Sequence, residues 1–301
     1  MGEALVEYNQ NERTQQRHFL QGFGGDTSNF LVAAARQGSR VAYLSALGSD
    51  GHANLLRQMW TDEGVCHEAV ATHPQAPTGV YFVRHTHAGH QFDFLRGGSA
   101  ASLMRPGALD CSLLSATRAF HFSGISMAIS ATACDAVLLA AQQAREHGAL
   151  VSFDTNLRKS LWPLARARAM SREAMALCDI CLPSWDDITE LTGLSEPQAI
   201  LDHCLGLGAK VVALKMGAQG AWVAQPGARL YIPAFKVDAV DATGAGDTFG
   251  GVFVSQWLRQ PDLREAGRYA CAAAALSTQG YGAIHPIPHR QQVQHLLQAS
   301  P

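Results

Sequence analysis

A chain of 301 residues has room for one large α/β domain or two ordinary ones, and 47% hydrophobic residues supply a sizeable core. With 23 basic against 25 acidic side chains the net charge is −2, which excludes a strongly basic nucleic-acid binder and an acidic disordered tail. No run approaches the ~18 apolar residues of a bilayer span, and the early acids of MGEALVEYNQ are unlike a signal peptide, so no membrane partner and a cytoplasmic location are expected.

From the N-terminus, Gly24-Gly25 leads into DTSNFLVAAARQG, a helix that Asp26, Thr27 or Ser28 would cap and Gly38 would end. Residues 41–47 read as a short apolar strand. Asp50 caps a second helix that runs to about Glu63, with Gly64 at its stop. The runs 79–84 and 91–95 alternate as a hairpin, and the histidines at 85, 87 and 90 between them suit its polar turn better than a metal site.

From residue 118 onward strands and helices alternate. Strands fall at 120–122, 150–153, 178–182 and 211–214, and helices at 131–146, 164–177 and 197–206. Cys178 and Cys181 form a CxxC, but it lies in the strand-like run CDICLP with no second pair at zinc-finger spacing. With seven cysteines, an odd number, in mostly apolar segments, the thiols are expected reduced and buried. Residues 222–223 and 231–232 look like antiparallel additions, and helices follow at about 245–258, 263–278 and 289–297.

Repeated β-α-β units imply an α/β fold, a mostly parallel sheet with helices on both faces. The early hairpin falls outside that alternation and reads as a small β appendage. Without a Pro-, Ser- or Gly-rich linker or an internal repeat, residues 1–301 form one domain, with the appendage drawn from about 7–20 and 68–98.

The chemistry concentrates in residues 240–249, VDATGAGDTF. A Gly-rich turn feeds directly into the helix FGGVFVSQWL, so backbone N–H groups of Gly244, Ala245 and Gly246 would project from a helix N-terminus as an anion site. Asp247, beside that positive end, is suited to accept a proton or bind a cation. The pair suggests phosphoryl transfer to a hydroxyl, with Asp247 as base and the amides as cradle for transition-state charge. The plainer reading is a capped helix after a Gly turn. The spacing fits neither GxGxxG nor the P-loop, which excludes the corresponding NAD-enzyme and P-loop readings.

DATGAGDTF resembles the second signature of the ribokinase-like (PfkB) carbohydrate kinases. GGDTSNFLVAAARQGSRVAYLSALGSDGHANLL resembles the first, with Asp50-Gly51-His52 where the family's turn carries a last glycine. FDTNLRKSLWP, VVALKMGAQGAW and GYGAI agree, so the resemblance covers nearly the whole chain. It implies a ribokinase-like three-layer α/β/α sandwich with a small β-sheet lid, ATP and Mg2+ as cofactors, and a homo-oligomer, most simply a dimer through the lid. A relative's first central strand has about five more apolar residues before Gly-Glu; the chain as given starts Met1-Gly2-Glu3, and lower stability than a longer relative is expected.

By resemblance Asp247 is the catalytic base, and Gly244, Ala245 and Gly246 are the anion hole for the γ-phosphate. Lys215, Gly217 and Gly220 match the nucleotide-side turn; Gly25 and Asn29 match positions that contact sugar hydroxyls. Asp241 and Thr243 match positions near a monovalent cation (K+) site, with turn and cap chemistry as their plainer role. The family's Asn-x-x-Glu is Ser184-Trp185-Asp186-Asp187 here, so Asp187 is the candidate for indirect contact with Mg2+.

Arginine frames the substrate question, because a sugar acid needs a cationic fork for its carboxylate. Arg158 ends DTNLR at a strand's carboxyl end, beside Asn156, and Arg96 ends FDFLR; together they could hold one carboxylate, while Phe94 or Tyr81 covers an apolar sugar face. Within the family the segments GEALVEYNQ, GFGGDTSN and HFSGISMAIS look most like the 2-keto-3-deoxygluconate kinases (2-dehydro-3-deoxygluconokinases). The implied reaction is ATP-dependent phosphorylation of 2-keto-3-deoxy-D-gluconate at its terminal 6-hydroxyl. Fructokinase or 2-keto-3-deoxygalactonate kinase activity, or a catalytically silent sugar-acid sensor, are the alternatives.

Overall fold

The structure is a computed structural model that describes residues 1–10, 18–86 and 89–299. In chain order the elements begin β1 (Leu5–Gln10), β2 (Phe19–Gly24), α1 (Asp26–Arg36), β3 (Val41–Ala42), β4 (Ala46–Gly48), α2 (Gly51–Asp62), β5 (Val65–Cys66), β6 (Ala71–His73), β7 (Val80–Thr86) and β8 (Gly89–Leu95). They continue with β9 (Ala119–Ser123), α3 (Gly124–Ala128), α4 (Ala131–Glu146), β10 (Leu150–Asp154), α5 (Leu164–Leu177), β11 (Ile180–Cys181), α6 (Trp185–Thr192), α7 (Pro197–Leu207) and β12 (Val211–Lys215). Last come β13 (Gly220–Gln225), β14 (Ala228–Pro233), α8 (Ala245–Arg259), α9 (Leu263–Ser277) and α10 (Arg290–Ala299).

The large sheet has the order β14-β13-β12-β11-β10-β9, parallel from β9 to β12 and antiparallel at β13 and β14. Its period-2 burial explains the apolar runs. Along β12, Val212 and Leu214 enter the core under α4, α5 and α7, while Val211 and Ala213 enter the core under α1, α8 and α9. Both faces are therefore covered by helices, and the molecule has three layers. A smaller sheet, order β2-β1-β7-β8, carries the hairpin: β7 and β8 pair antiparallel with Thr86 opposite Gly89. His87 and residues 11–17 of the expected appendage lie outside the described residues, as do the side chains of His85 and His90. No helix among the described residues is long and apolar enough to cross a membrane.

Three local expectations need correction. Helix α1 starts after Gly25, at φ 102°, with no side-chain cap. Asp26, Thr27 and Ser28 lie inside the helix and are buried, because tertiary partners claim their polar atoms: Thr27 Oγ1 meets the Tyr43 hydroxyl at 2.7 Å, and Trp60 Nε1 donates to Ser28 Oγ at 2.9 Å. The run 41–47 is split into β3 and β4, each paired in parallel with a different short strand, β5 and β6. Residues 1–4 form no strand in the large sheet; they are buried, with the Met1 amine donating to His121 O at 2.6 Å and the Gly2 N–H to Leu44 O at 3.3 Å. Asp50 does cap α2, accepting from Ala53 N–H at 2.9 Å.

Helices α1 and α8 approach unusually closely, and glycine is the reason. A Cβ on Gly251 would stand 2.3 Å from Phe30 O and 2.9 Å from Ala33 Cβ, and one on Gly250 3.2 Å from the Phe30 ring. That contact brings the first turn of each helix to the same place.

Candidate active site

A cleft of about 1400 Å³ opens where the carboxyl ends of β10 and β12, the first turns of α1 and α8, and the smaller sheet converge. The carboxyl edge of parallel strands is where loops diverge and leave such a crevice. Gly25, Asn29, Tyr81, Phe94, Arg96, Asn156, Arg158, Asp187, Lys215, Gly217, Thr243, Gly244, Ala245, Gly246 and Asp247 all line it.

Gly244, at φ 75°, reverses the chain into α8. A Cβ there would meet Ala283 at 3.1 Å, and the left-handed φ itself disfavours any other residue. The Ala245 N–H bends back to Ala242 O at 3.2 Å, so it is turned away from the expected cradle. The amides of Gly246 and Asp247 are first-turn groups with no acceptor inside the helix.

Asp247 is half-buried, and Asn29 Nδ2, across the α1–α8 contact, donates to its Oδ2 at 2.8 Å. Desolvation pushes its carboxyl up to about 8, with the nearby charges of Asp26 and Asp154 adding and the Asn29 hydrogen bond and Lys215 opposing. A base that titrates near neutrality can hold a hydroxyl proton and release it again. Replacing Asn29 with Ala removes a donor that favours the charged form. The acid limb of kcat/KM is then expected to move to higher pH by roughly one unit. An unmoved limb in a pH–rate profile would refute this coupling.

Asp26 and Asp154 were not singled out as site residues from sequence. Its place before a helix reads as a cap for Asp26, but in the cleft its Oδ2 accepts from Asn156 Nδ2 at 3.1 Å. Asp154, the last residue of β10, pairs with the Lys215 ammonium, so that lysine is not a solvated strand end. The available signal was position alone: an Asp at the carboxyl end of a buried parallel strand. Between them Asn156 holds φ 28°, a conformation uncommon outside glycine.

Other predicted positions are fixed by neighbours. The Tyr81 hydroxyl donates to Glu7, and its ring stacks on Phe94 with centroids 5.4 Å apart, so both rings face the cleft as one apolar wall. Arg96 is half-committed, ion-paired with the buried Glu3, whose Oε1 also accepts from Ser99 at 2.6 Å. Arg158 is exposed and donates to Leu157 O at 2.8 Å. Asp187 accepts from Leu157 N–H at 3.1 Å and Thr155 Oγ1 at 3.3 Å, which ties α6 to the loop carrying Asn156 and Arg158.

Two predicted residues do not line the cleft. Gly220 is buried at the start of β13, where a Cβ would stand 2.1 Å from Ile232 O; backbone crowding accounts for the glycine. Asp241 turns inward. Its Oδ1 accepts from Thr243 N–H at 2.9 Å and Thr243 Oγ1 at 2.7 Å, and its Oδ2 from Gly282 N–H at 2.9 Å. Those contacts are turn chemistry that holds the approach to α8.

The sequence pattern of the pfkB family carbohydrate kinase matches residues 1–290. The chain is 33% identical over 307 residues to a 2-dehydro-3-deoxygluconokinase of Thermoproteus tenax, covering 99% of this chain and 93% of that protein. It is 31% identical over 294 residues to fructokinase-1 of Oryza sativa subsp. japonica, covering 94% and 90%. Among solved structures, an E. coli protein described as a ribokinase II, in complex with ATP and Mg2+, superposes with a TM-score of 0.90 at 26% identity, covering 99% of this chain and 97% of that one.

Proposed function

The chain belongs to the pfkB family of carbohydrate kinases, and from that premise we propose that it phosphorylates a sugar acid, 2-keto-3-deoxy-D-gluconate, at the terminal 6-hydroxyl. Asp247 takes the hydroxyl proton. The hydroxyl oxygen bonds to the γ-phosphorus, the bond from that phosphorus to the oxygen bridging to the β-phosphate breaks, and ADP leaves with the electron pair. The amides of Gly246 and Asp247 face the charge that develops on the phosphoryl oxygens. The Tyr81–Phe94 wall excludes water above the sugar, which limits wasteful hydrolysis of ATP.

Magnesium fits the oxygen donors of Ser184, Asp186 and Asp187 on the cleft wall. Bound with ATP, it would neutralise phosphate charge, and Asp187 would hold it from a distance.

The observation that carries the sugar-acid reading is the exposed Arg158 guanidinium beside Asn156 in the cleft, with Arg96 also on the wall. A second reading, a neutral ketose such as fructose, gains from the Glu3 carboxylate that already compensates Arg96. ADP release measured with keto-deoxy sugar acids, fructose and ribose separates the two. Turnover of fructose without turnover of keto-deoxy acids would sink the sugar-acid proposal. Arg158→Ala is expected to raise KM for the sugar acid by roughly 10- to 100-fold and to change KM for fructose far less, since only the acid has a charge to lose. Equal effects on both would remove the carboxylate role.

A further inference from the structure

Lys215 has no task in the reaction just written. Its backbone is pinned in the interior of the large sheet: its N–H donates to Pro183 O at 2.8 Å, and it bridges to Ser184. The side chain is 12% exposed and its ammonium pairs with Asp154. The same ammonium stands over the first turn of α8. A methyl group built on Gly246 would meet, beyond its chain neighbours and its own helix backbone, a single atom of the described residues within 4 Å: Lys215 Nζ, at 3.6 Å. The nucleotide-turn role expected for Lys215 shared two glycines, and one of them, Gly220, is buried in a strand away from the cleft.

We infer that Lys215 is a catalytic residue whose ammonium contacts the phosphoryl group in flight, closing with a side chain the cradle that the Gly246 and Asp247 amides begin. This rests on the kinase chemistry proposed above but not on which sugar is the acceptor. In a loose phosphoryl transition state the negative charge spreads over three equatorial oxygens. A fixed cation in a nearly dry site stabilises that charge without having to reorganise at the moment of reaction. Lysine has three N–H donors, and Asp154 occupies one of them, so the ammonium is held in place with donors to spare. Lys215 neither gains nor loses a proton in the step. The hydroxyl proton goes to Asp247 and the electron pair of the breaking P–O bond goes to ADP.

The test is calorimetry of ADP with Mg2+, with and without aluminium fluoride, which mimics the phosphoryl group in flight. Lys215→Met is expected to weaken the fluoride complex about 100-fold while ADP affinity stays within about 3-fold, and Lys215→Arg to recover most of the loss. In turnover, kcat should fall by the same factor with KM for ATP and sugar little changed. Equal weakening of ADP and its fluoride complex would overturn the inference in favour of an ordinary nucleotide contact. So would unchanged affinity for both. Asp154→Asn guards against a folding artefact, because it breaks the ion pair but keeps the ammonium. Its fluoride affinity should fall less than about 10-fold, and a loss as large as that of Lys215→Met would reduce Lys215 to a strut. Wild-type protein that turns over none of the sugars would count against the proposed substrate, while the fluoride measurement still reads Lys215.

Discussion

Asp247→Asn is expected to lower kcat by about 10²- to 10⁴-fold, the usual range for a positioned general base, while leaving nucleotide binding largely intact. The substitution keeps the size of the side chain and one hydrogen-bonding oxygen, so a retained rate would refute Asp247 as the base. The same variant should be the more heat-stable protein, and only at high pH. In the folded state burial and the Asp26 charge hold the Asp247 carboxyl up at about 8, well above its value in an unfolded chain. The folded protein therefore binds the proton more tightly than the unfolded one. Its stabilising contribution is complete below the unfolded value, near pH 4, and is lost as pH rises through about 8. Asparagine never ionises and escapes that loss. Melting curves from pH 4 to pH 9 should show wild type and variant converging at the acid end, with the variant a few degrees higher, roughly 2–4 °C per kcal/mol, at the alkaline end. A variant that melts lower at pH 9 would show that Asp247 is not destabilised by ionisation.

Gly251→Ala is expected to destabilise the protein by about 1–3 kcal/mol or more, the range for overpacking a well-filled interior. Its methyl group would sit 2.3 Å from Phe30 O, and backbone cannot swing aside as a flexible side chain can. The only relief is for α1 to move away from α8. Asn29 is the residue before Phe30, and its bond to Asp247 spans this contact, so the rate should fall together with the melting temperature although Gly251 touches no substrate. Thermal denaturation and initial rates at a temperature where the variant is fully folded check both effects. A wild-type rate in the folded variant would separate helix spacing from catalysis.

The pattern-bearing parts of this chain were legible without coordinates. The run VVALK alternates its side chains between two cores, and a segment apolar on both faces belongs to a covered, mostly parallel sheet. Asp50 and Gly64 bound α2 through chemistry local to the chain. The turn DATGAGD declared itself the same way: glycine at left-handed φ, then a helix with an acid in its first turn. Where sequence misled, a distant partner had claimed the group. Asp26, Thr27 and Ser28 have capping side chains, but Asn156, Tyr43 and Trp60 hold them inside the helix. Asp241 keeps the turn role that its place before the helix suggests, through Thr243, and adds a bond from Gly282 that sequence separation hides. Arg96 lines the cleft as expected, but its ion pair with Glu3, 93 positions earlier in the sequence, is visible only in the fold.

Sequence by itself thus determined the layered α/β architecture, the family and the turn that presents Asp247, because each rests on local backbone preference or on a short periodic pattern. Only the tertiary structure decided how charge is arranged around that aspartate. Asn29, Asp26, Asp154 and Lys215 come from three separate elements of the chain, and electrostatic energy depends on distance and burial, neither of which sequence separation records.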